Sequence, residues 1–214
     1  MNYKDLVIKN IIFDLGNVII EVDENKTANF LKTFDYDYNN IKEKLKNTII
    51  NFELGMINST EFISTTKKVC PSLSEKQIKE AWLLMLKPIS YDTFKLLENL
   101  KKHYKIFVLS NTNELHYEYF SKQFEKDFKT NFRNFFDNVF LSFEIKLRKP
   151  DLNIFKYIID KTNIKPEETI FIDDIPENLA TSKILGFNTL QIEKNIFKEK
   201  EKLFFLCEKF SHIE

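Results

Sequence analysis

Short apolar runs recur along the chain, and each one ends in polar residues. The five runs read VIKNIIFD, YKIFVLSN, NVFLS, TIFIDD and NTLQI. Segments with helical periodicity lie between them, and an alternation of strand and helix is typical of a parallel sheet covered on both faces. The pattern therefore predicts an α/β fold built on a doubly wound parallel sheet.

One connection departs from this alternation. Residues 24–88 contain no strand pattern, only helical patterns such as NKTANFLKTF and SEKQIKEAWLLML, with Ser59 and Ser74 as expected N-caps. This stretch is far longer than an ordinary crossover. We predict that residues 24–88 form an all-helical domain inserted after the first strand, and that residues 1–23 and 89–214 form the α/β core. The core is expected to resume with a helix near residue 90 whose Phe94, Leu97 and Leu100 face the sheet.

The composition narrows the range of ligands. The chain has 214 residues and 43% hydrophobic content, enough for one sizeable core that carries an insertion. Lysine plus arginine and aspartate plus glutamate both number 32. The zero net charge gives no reason to expect nucleic acid or an anionic membrane as a partner. A charged ligand would have to be held by local groups.

The cysteines and the N-terminal residues indicate a cytoplasmic protein. Cys70 and Cys207 are far apart, and neither has a histidine or cysteine at metal-ligand spacing, so we expect two reduced, buried thiols. The opening MNYKDLVIKN lacks the apolar stretch of a signal peptide, and no apolar run approaches the roughly 18 residues of a membrane helix. Nothing in the pattern points to a particular oligomeric state.

Chemically reactive side chains follow the predicted strands. In open parallel sheets, ligands bind outside the carboxyl ends of the strands. One loop, after NVFLS, adds a lysine directly before a proline. The candidate residues at this edge are Asp14, Ser110, Asn111, Lys149, Asp173 and Asp174.

Together these groups suit phosphoryl transfer through an aspartyl phosphate. A carboxylate such as Asp14 can attack phosphorus and form an acyl phosphate that water later cleaves. Because both reactants are anions, the attack requires charge neutralisation. Mg²⁺ prefers carboxylate, phosphate and water ligands and would fit between Asp14 and Asp174. Lys149 and the Ser110 hydroxyl would hold the remaining phosphoryl oxygens.

The motifs FDLGNV, VLSNTN, RKPD and FIDD, in this order and with a helical insertion after the first, resemble the haloacid dehalogenase superfamily. The likeness covers almost the whole chain. Within the superfamily the sequence most resembles the bacterial sugar-phosphate phosphatases that act on glucose 1-phosphate, and next the phosphatase domain of soluble epoxide hydrolase. The resemblance implies a Rossmann-like core, a helical cap that closes over the site and sets substrate choice, Mg²⁺ as cofactor, and a small phosphorylated metabolite as substrate.

The resemblance also implies roles for the residues at matching positions. Asp14 would be the nucleophile and a metal ligand, and the backbone carbonyl of Gly16 would be a second ligand. Asp174 would be the direct acidic ligand, and Asp173 and Asn178 would support the metal, mostly through water.

Three further positions match the part of the family pattern that binds phosphate. Ser110 falls at the phosphate-binding serine or threonine, and Asn111 stands beside it. Lys149 falls at the family's lysine.

The sequence departs from the superfamily pattern at Gly16. Most of its phosphatases have a second aspartate there, two residues after the nucleophile, which protonates the leaving oxygen and later activates water. Its loss should slow an enzyme by about 10² to 10⁴-fold. Because a sugar C1 oxygen leaves more readily than an ordinary alcohol, glucose 1-phosphate is the expected substrate. His116 is a weaker candidate for the missing group, because it is expected on a helix beyond Asn111.

Glycine is scarce in this chain, and we expect each of Gly16, Gly55 and Gly186 to mark a backbone position that needs it. A second departure from the family pattern concerns a glycine as well. Lys146 stands where close relatives have a glycine before RKP.

Several other side chains have two interpretations. Trp82 and Met85 are expected in the core of the insertion, and the alternative is that they face substrate. Arg148 suits a surface salt bridge as well as a substrate contact. Glu21 and Asp23 suit a solvated turn, or a substrate hydroxyl.

Two other functions stay open. A 2-haloacid dehalogenase also lacks the second aspartate and needs no metal, but it has no use for adjacent carboxylates that repel each other without a cation. A non-catalytic binding protein of the same fold is the other alternative, which the absence of an acid at Gly16 keeps open.

Overall fold

The computed structural model describes residues 7–207 and contains one parallel sheet of five strands. The strand order is β3-β2-β1-β4-β5, and the central β1 pairs with β2 on one side and β4 on the other. All five predicted strands are confirmed. Their bounds are β1 Asn10–Phe13, β2 Lys105–Ser110, β3 Asn138–Leu141, β4 Thr169–Asp173 and β5 Asn188–Gln191.

Helices occupy most of the remaining chain. Between β1 and β2 lie α1 Glu24–Lys32, α2 Tyr38–Lys44, α3 Lys46–Glu53, α4 Ser59–Val69, α5 Glu75–Leu84 and α6 Tyr91–Lys101. The later helices are α7 Glu114–Phe128, α8 Phe132–Phe135, α9 Ser142–Ile145, α10 Leu152–Thr162, α11 Pro176–Ile184 and α12 Phe204–Cys207. Short 3-10 turns cover Pro166–Glu168 and Lys200–Leu203.

Strands β1 to β4 send alternate residues into two separate buried clusters, one on each face of the sheet. In β1, Ile11 and Phe13 belong to one cluster and Ile12 to the other. Helices α6 and α7 cover the first face, and α10 covers the second. The three residues of α6 that were predicted to face the sheet, Phe94, Leu97 and Leu100, all lie in the first cluster.

The five helices α1–α5 have an apolar core of their own, which includes Leu31, Ile78 and the free thiol of Cys70. Ser74 caps α5 as predicted. The cap of α4 was placed one residue too late. Asn58, not Ser59, accepts the Glu61 backbone N–H, and the Glu61 side chain accepts the Asn58 backbone N–H in return.

The chain enters and leaves this helical segment through two short stretches that pair with each other. Val22 and Leu86 form an antiparallel bridge, and the Asp23 N–H donates to the Met85 carbonyl at 2.7 Å. Glu21 accepts from Lys198 at 2.6 Å and from Lys87 at 3.2 Å. The sequence suggested a solvated turn for Glu21. In the structure, Glu21 forms ion pairs at this junction.

The expectation for the glycines holds at two positions and is wrong at the third. Gly55 and Gly186 have positive φ angles of 61° and 89°, and a Cβ at Gly55 would collide with the Phe143 carbonyl. Gly16 has an ordinary φ, and a Cβ there would meet only Val22 Cγ2, at 3.6 Å. Its backbone therefore does not require glycine.

The helices described over residues 7–207 include none with the length and apolar character needed to cross a bilayer. The side chain of Cys207, predicted to be a buried thiol, lies outside the described residues.

Candidate active site

Asp14 follows directly after β1, the central strand of the sheet. Its N–H donates to the Ile172 carbonyl of β4 at 2.8 Å, so the backbone is held in register with the neighbouring strand. The residue is buried, with 7% relative exposure. A carboxylate is thus presented at the carboxyl edge of the sheet in a shielded position.

Lys149 meets Asp14 from the loop after α9. Its ammonium group lies 2.8 Å from Asp14 Oδ1 and 2.6 Å from Asp173 Oδ2, and it donates to the Leu109 carbonyl at 3.0 Å. The side chain is almost wholly buried. Burial opposes the charge, but the two carboxylates outweigh it and raise the pKa of Lys149. Lys149 is therefore a fixed buried cation between two acids.

Asn111 holds the backbone of Lys149 by a reciprocal pair of hydrogen bonds. The Asn111 amide nitrogen donates to the Lys149 carbonyl and its oxygen accepts the Lys149 N–H, both at 2.9 Å. The Asn111 side chain is therefore engaged with the loop that carries the lysine. It was predicted to bind phosphate, and its described contacts give it a positioning role.

Asp173 is completely buried and has several donors besides Lys149. The Asn178 amide nitrogen donates to both of its oxygens, at 3.0 and 3.1 Å, and the Ile175 N–H donates to Oδ1 at 2.8 Å. Asn178 lies in the first turn of α11, where such a contact also orders the start of the helix. These bonds occupy Asp173 within the protein, and the metal-supporting role predicted for it and for Asn178 stays a prediction.

Asp174 is the more accessible of the two adjacent acids. Its Oδ2 accepts from Asn17 Nδ2 at 3.0 Å, and Asn17 Oδ1 in turn accepts the Val22 N–H at 3.1 Å. Asn17 takes a left-handed φ of 57° to make this turn. Burial raises the pKa of Asp174, and Asp173 adds to the rise while Asn17 opposes it.

Oxygen atoms of Asp14, Asp173 and Asp174 all lie within 4.8 Å of one another. Burial raises the pKa of Asp14, Lys149 lowers it, and Asp173 raises it further. Three hard oxygen donors with a surplus of negative charge fit Mg²⁺ well. Lys149 supplies only one positive charge, so a cation would relieve the remaining repulsion.

Ser110 ends β2 and is buried at the same edge as Asp14. Ser110, Asn111 and Gly16 line a cavity of about 270 Å³, and Gly16 lies two positions after Asp14 in the chain. The sheet edge therefore brings together all the residues that the sequence suggested for the site.

His116 also lines this cavity, although the sequence did not favour it. Its Nε2 lies 3.0 Å from the Trp82 carbonyl, and the two rings stack with centroids 4.9 Å apart. Burial lowers the pKa of His116 to about 4. The imidazole is therefore neutral near pH 7 and is bonded to the helical segment, which argues against a general acid at this position.

The far side of the cavity is built from the helical segment. Trp82 and Met85 line it, so both residues face the space where a substrate would lie, and Trp82 also packs against Phe52 and Phe62 of the segment. Sequence reasoning missed the charged residues of this wall because they fall within ordinary helical patterns with no motif of their own. They are Glu24, Lys42 and Glu53.

Arg148 pairs with Glu53 rather than with solvent-exposed acids. Its Nη2 donates to Glu53 Oε2 at 2.9 Å, which joins α3 to the loop that carries Lys149. The interpretation as a salt bridge is thus correct, and the bridge crosses between the core and the helical segment.

A central parallel sheet with a buried lysine among three aspartates at its carboxyl edge defines a class of α/β hydrolase that works through a carboxylate. The sequence model of the haloacid dehalogenase-like hydrolases matches residues 11–192. The chain belongs to this family, and the predicted membership is confirmed.

Individual relatives match over nearly their whole length. The D-ribitol-5-phosphate phosphatase of Bacteroides thetaiotaomicron is 32% identical over 191 residues, which cover 87% of this chain and 93% of the relative. A family enzyme from the same organism, solved with magnesium and inorganic phosphate, is 33% identical with a TM-score of 0.79, covering 86% of this chain and 93% of that one. A HAD-like hydrolase from Porphyromonas gingivalis is 30% identical with a TM-score of 0.77, covering 92% and 98%.

Proposed function

We propose that this protein is a Mg²⁺-dependent phosphatase that hydrolyses a small sugar or polyol phosphate through an aspartyl phosphate on Asp14. The observation that carries the proposal is the buried arrangement of Asp14, Lys149, Asp173 and Asp174 at the carboxyl edge of the sheet. Similarity to a phosphatase and to an enzyme solved with magnesium and phosphate supports it.

In the first step, a carboxylate oxygen of Asp14 attacks phosphorus, and the bond from phosphorus to the substrate oxygen breaks. Lys149 supports this attack because its charge stabilises the ionised form of Asp14. The leaving oxygen takes its proton from water, since Gly16 has no side chain to supply one. In the second step, water cleaves the acyl phosphate, which releases inorganic phosphate and regenerates Asp14.

Mg²⁺, held by Asp14, Asp174 and the Gly16 carbonyl, would neutralise the phosphoryl oxygens. Asp173 and Asn178 hold the surroundings of this site in place through their mutual hydrogen bonds. Ser110, at the end of β2 and on the wall of the cavity, would donate its hydroxyl to a phosphoryl oxygen.

We also propose that residues 24–88 act as a cap over the cavity, with residues 1–23 and 89–214 as the core. The contacts that support this are the paired linkers at Val22 and Leu86 and the cavity wall contributed by α5. The reduced Cys70 thiol agrees with a cytoplasmic location.

Two substrates are favoured by different observations. Glucose 1-phosphate fits the absence of an acid at Gly16, because its leaving oxygen needs less protonation. D-Ribitol 5-phosphate fits the similarity to the Bacteroides phosphatase. The cavity volume of about 270 Å³ is slightly below the roughly 300 to 1,000 Å³ of pockets that bind drug-sized ligands. This volume suits either of the two sugar or polyol phosphates.

The acid cluster argues against the two alternative functions. A dehalogenase that works without metal would keep Asp173 and Asp174 in mutual repulsion near Asp14 with no benefit. A binding protein without catalysis has no need for a buried lysine bonded to the nucleophile position, because burying both charges costs free energy.

The test is phosphate release from a panel of monoesters, including both favoured substrates, with Mg²⁺ and with EDTA. The protein is compared with Asp14→Asn and with Asp160→Asn, a change on the exposed face of α10. We expect release that requires Mg²⁺, is lost in Asp14→Asn and is unchanged in Asp160→Asn. Absence of turnover on every monoester would contradict the proposal.

A further inference from the structure

The outer wall of the cavity contains charged groups that are already paired. Lys42 lies 2.6 Å from Glu24 and Arg148 lies 2.9 Å from Glu53, and three of these four residues line the cavity. Each cation is therefore matched by a carboxylate within the protein. The wall has no surplus positive charge for an anionic group of the substrate.

The Glu53–Arg148 pair leaves hydrogen-bonding capacity on both partners. The described contacts engage Glu53 Oε2 only, so Oε1 keeps its capacity to accept, and Glu53 lines the cavity. Arg148 Nε is buried without a partner among the residues described. Arg148 itself does not line the cavity, so Glu53 is the member of the pair that a ligand there can reach.

A hydroxyl group complements Glu53 because it can donate a hydrogen bond to the carboxylate. A carboxylate or a second phosphate does not, since it would lie beside the Glu53 carboxylate, and the two described cations at this wall, Lys42 and Arg148, each already have a carboxylate partner. An unpaired charge in a shielded position is strongly unfavourable. This wall of the cavity thus favours uncharged, hydroxyl-bearing ligands over ligands that carry a second negative charge.

We infer that Glu53 accepts a hydrogen bond from a hydroxyl of the substrate's leaving group, and that Glu53 and Arg148 select uncharged, hydroxyl-bearing phosphate monoesters. The inference rests on the proposed function and assigns its specificity to these two residues. Arg148 acts through Glu53 by holding its carboxylate toward the cavity.

The first experiment compares Glu53→Gln with the parent protein on two substrates, D-ribitol 5-phosphate and phenyl phosphate, in the presence of Mg²⁺. Phenyl phosphate has no hydroxyl for Glu53 to bind. Glu43→Gln, an exposed change in the same helical segment, is the matched control. Thermal melting checks that the variants are folded.

We expect Glu53→Gln to lower kcat/KM for ribitol 5-phosphate at least 10-fold, chiefly through KM, because a charge-assisted hydrogen bond is lost. Turnover of phenyl phosphate should change less than about twofold, because this substrate has no hydroxyl that could bind Glu53. An interaction made equally in the ground state and the transition state affects KM and not kcat. An equal loss on both substrates would overturn the inference, because Glu53 would then act on the structure of the site. No loss on either would overturn it as well.

Direct binding separates this inference from the proposed function. Ribitol 5-phosphate is titrated by calorimetry with Mg²⁺ into Asp14→Asn, with and without Glu53→Gln. A binding constant weakened at least 10-fold supports the role of Glu53 even if no phosphate is released by the parent protein. Equal binding by the two proteins, or no binding by either, overturns it.

2-Phosphoglycolate, which carries a carboxylate, should bind Asp14→Asn at least 10-fold more weakly than ribitol 5-phosphate.

Discussion

Lys149 Nζ lies 2.8 Å from Asp14 Oδ1, and the two side chains are only 1% and 10% exposed. The same ammonium also contacts Asp173 at 2.6 Å. A single buried cation thus holds together two carboxylates from different strands, so folding and the proposed chemistry depend on the same group.

Replacing Lys149 with methionine keeps most of the side-chain volume and removes the charge. Asp14 and Asp173 would then face each other without a cation, and breaking a buried pair in this way costs about 3 to 5 kcal/mol. We expect a loss of that size in the free energy of unfolding, measured by urea titration with EDTA, and a smaller loss with Mg²⁺. Lys156→Met, an exposed change on α10, should have little effect. Equal stability of the Lys149 and Lys156 variants would contradict this view.

Metal binding should stabilise the folded protein through Asp174. At a Mg²⁺ concentration 100 times the dissociation constant, the gain is about 2.7 kcal/mol. We expect Mg²⁺ to raise the melting temperature of the parent protein and of Asp160→Asn, and to have little effect on Asp174→Asn. If Asp174→Asn were stabilised as strongly as the parent, the ligand assignment would be wrong.

The space beside Gly16 allows the missing acid to be introduced. Because a Cβ at Gly16 meets only Val22 Cγ2 at an ordinary contact distance, Gly16→Asp should fold. We expect kcat for propyl phosphate, whose leaving group is poor, to rise at least 10-fold, within the range of about 10² to 10⁴ for acid-base catalysis. Phenyl phosphate should gain much less.

Gly16→Asn is the matched variant for this test, since it has the same shape and no transferable proton. An equal gain from asparagine would show that the effect is steric. No gain from aspartate in a folded protein would refute the importance of the missing acid.

Lys146 has a left-handed φ of 56° at the end of α9, where its N–H donates to the Ser142 carbonyl. A side chain is unfavourable in this region and glycine is not. We expect Lys146→Gly to stabilise the protein by about 0.5 to 1 kcal/mol in urea unfolding. Lys156→Gly, inside α10, should destabilise it by about 1 kcal/mol. A loss of stability in Lys146→Gly would contradict this interpretation.

Four of the site residues could be predicted from the sequence because each one ends or directly follows a strand. Asp14, Ser110, Asp173 and Asp174 all stand at the ends of apolar runs, and parallel strands bring such ends to one edge. The inference from the scarcity of glycine failed for Gly16, because scarcity says nothing about the φ angle or the space at a given position.

The order of strands and helices, the length of the insertion and the residues at the strand ends were determined by local pattern, since burial repeats with the period of each element. The partners of these residues were decided only by the tertiary structure. Glu53 meets Arg148 across 95 positions of sequence, and Trp82 meets His116 across 34. Such pairs depend on how the helical segment packs against the core, a three-dimensional fit that neither hydrophobic periodicity nor motif spacing encodes.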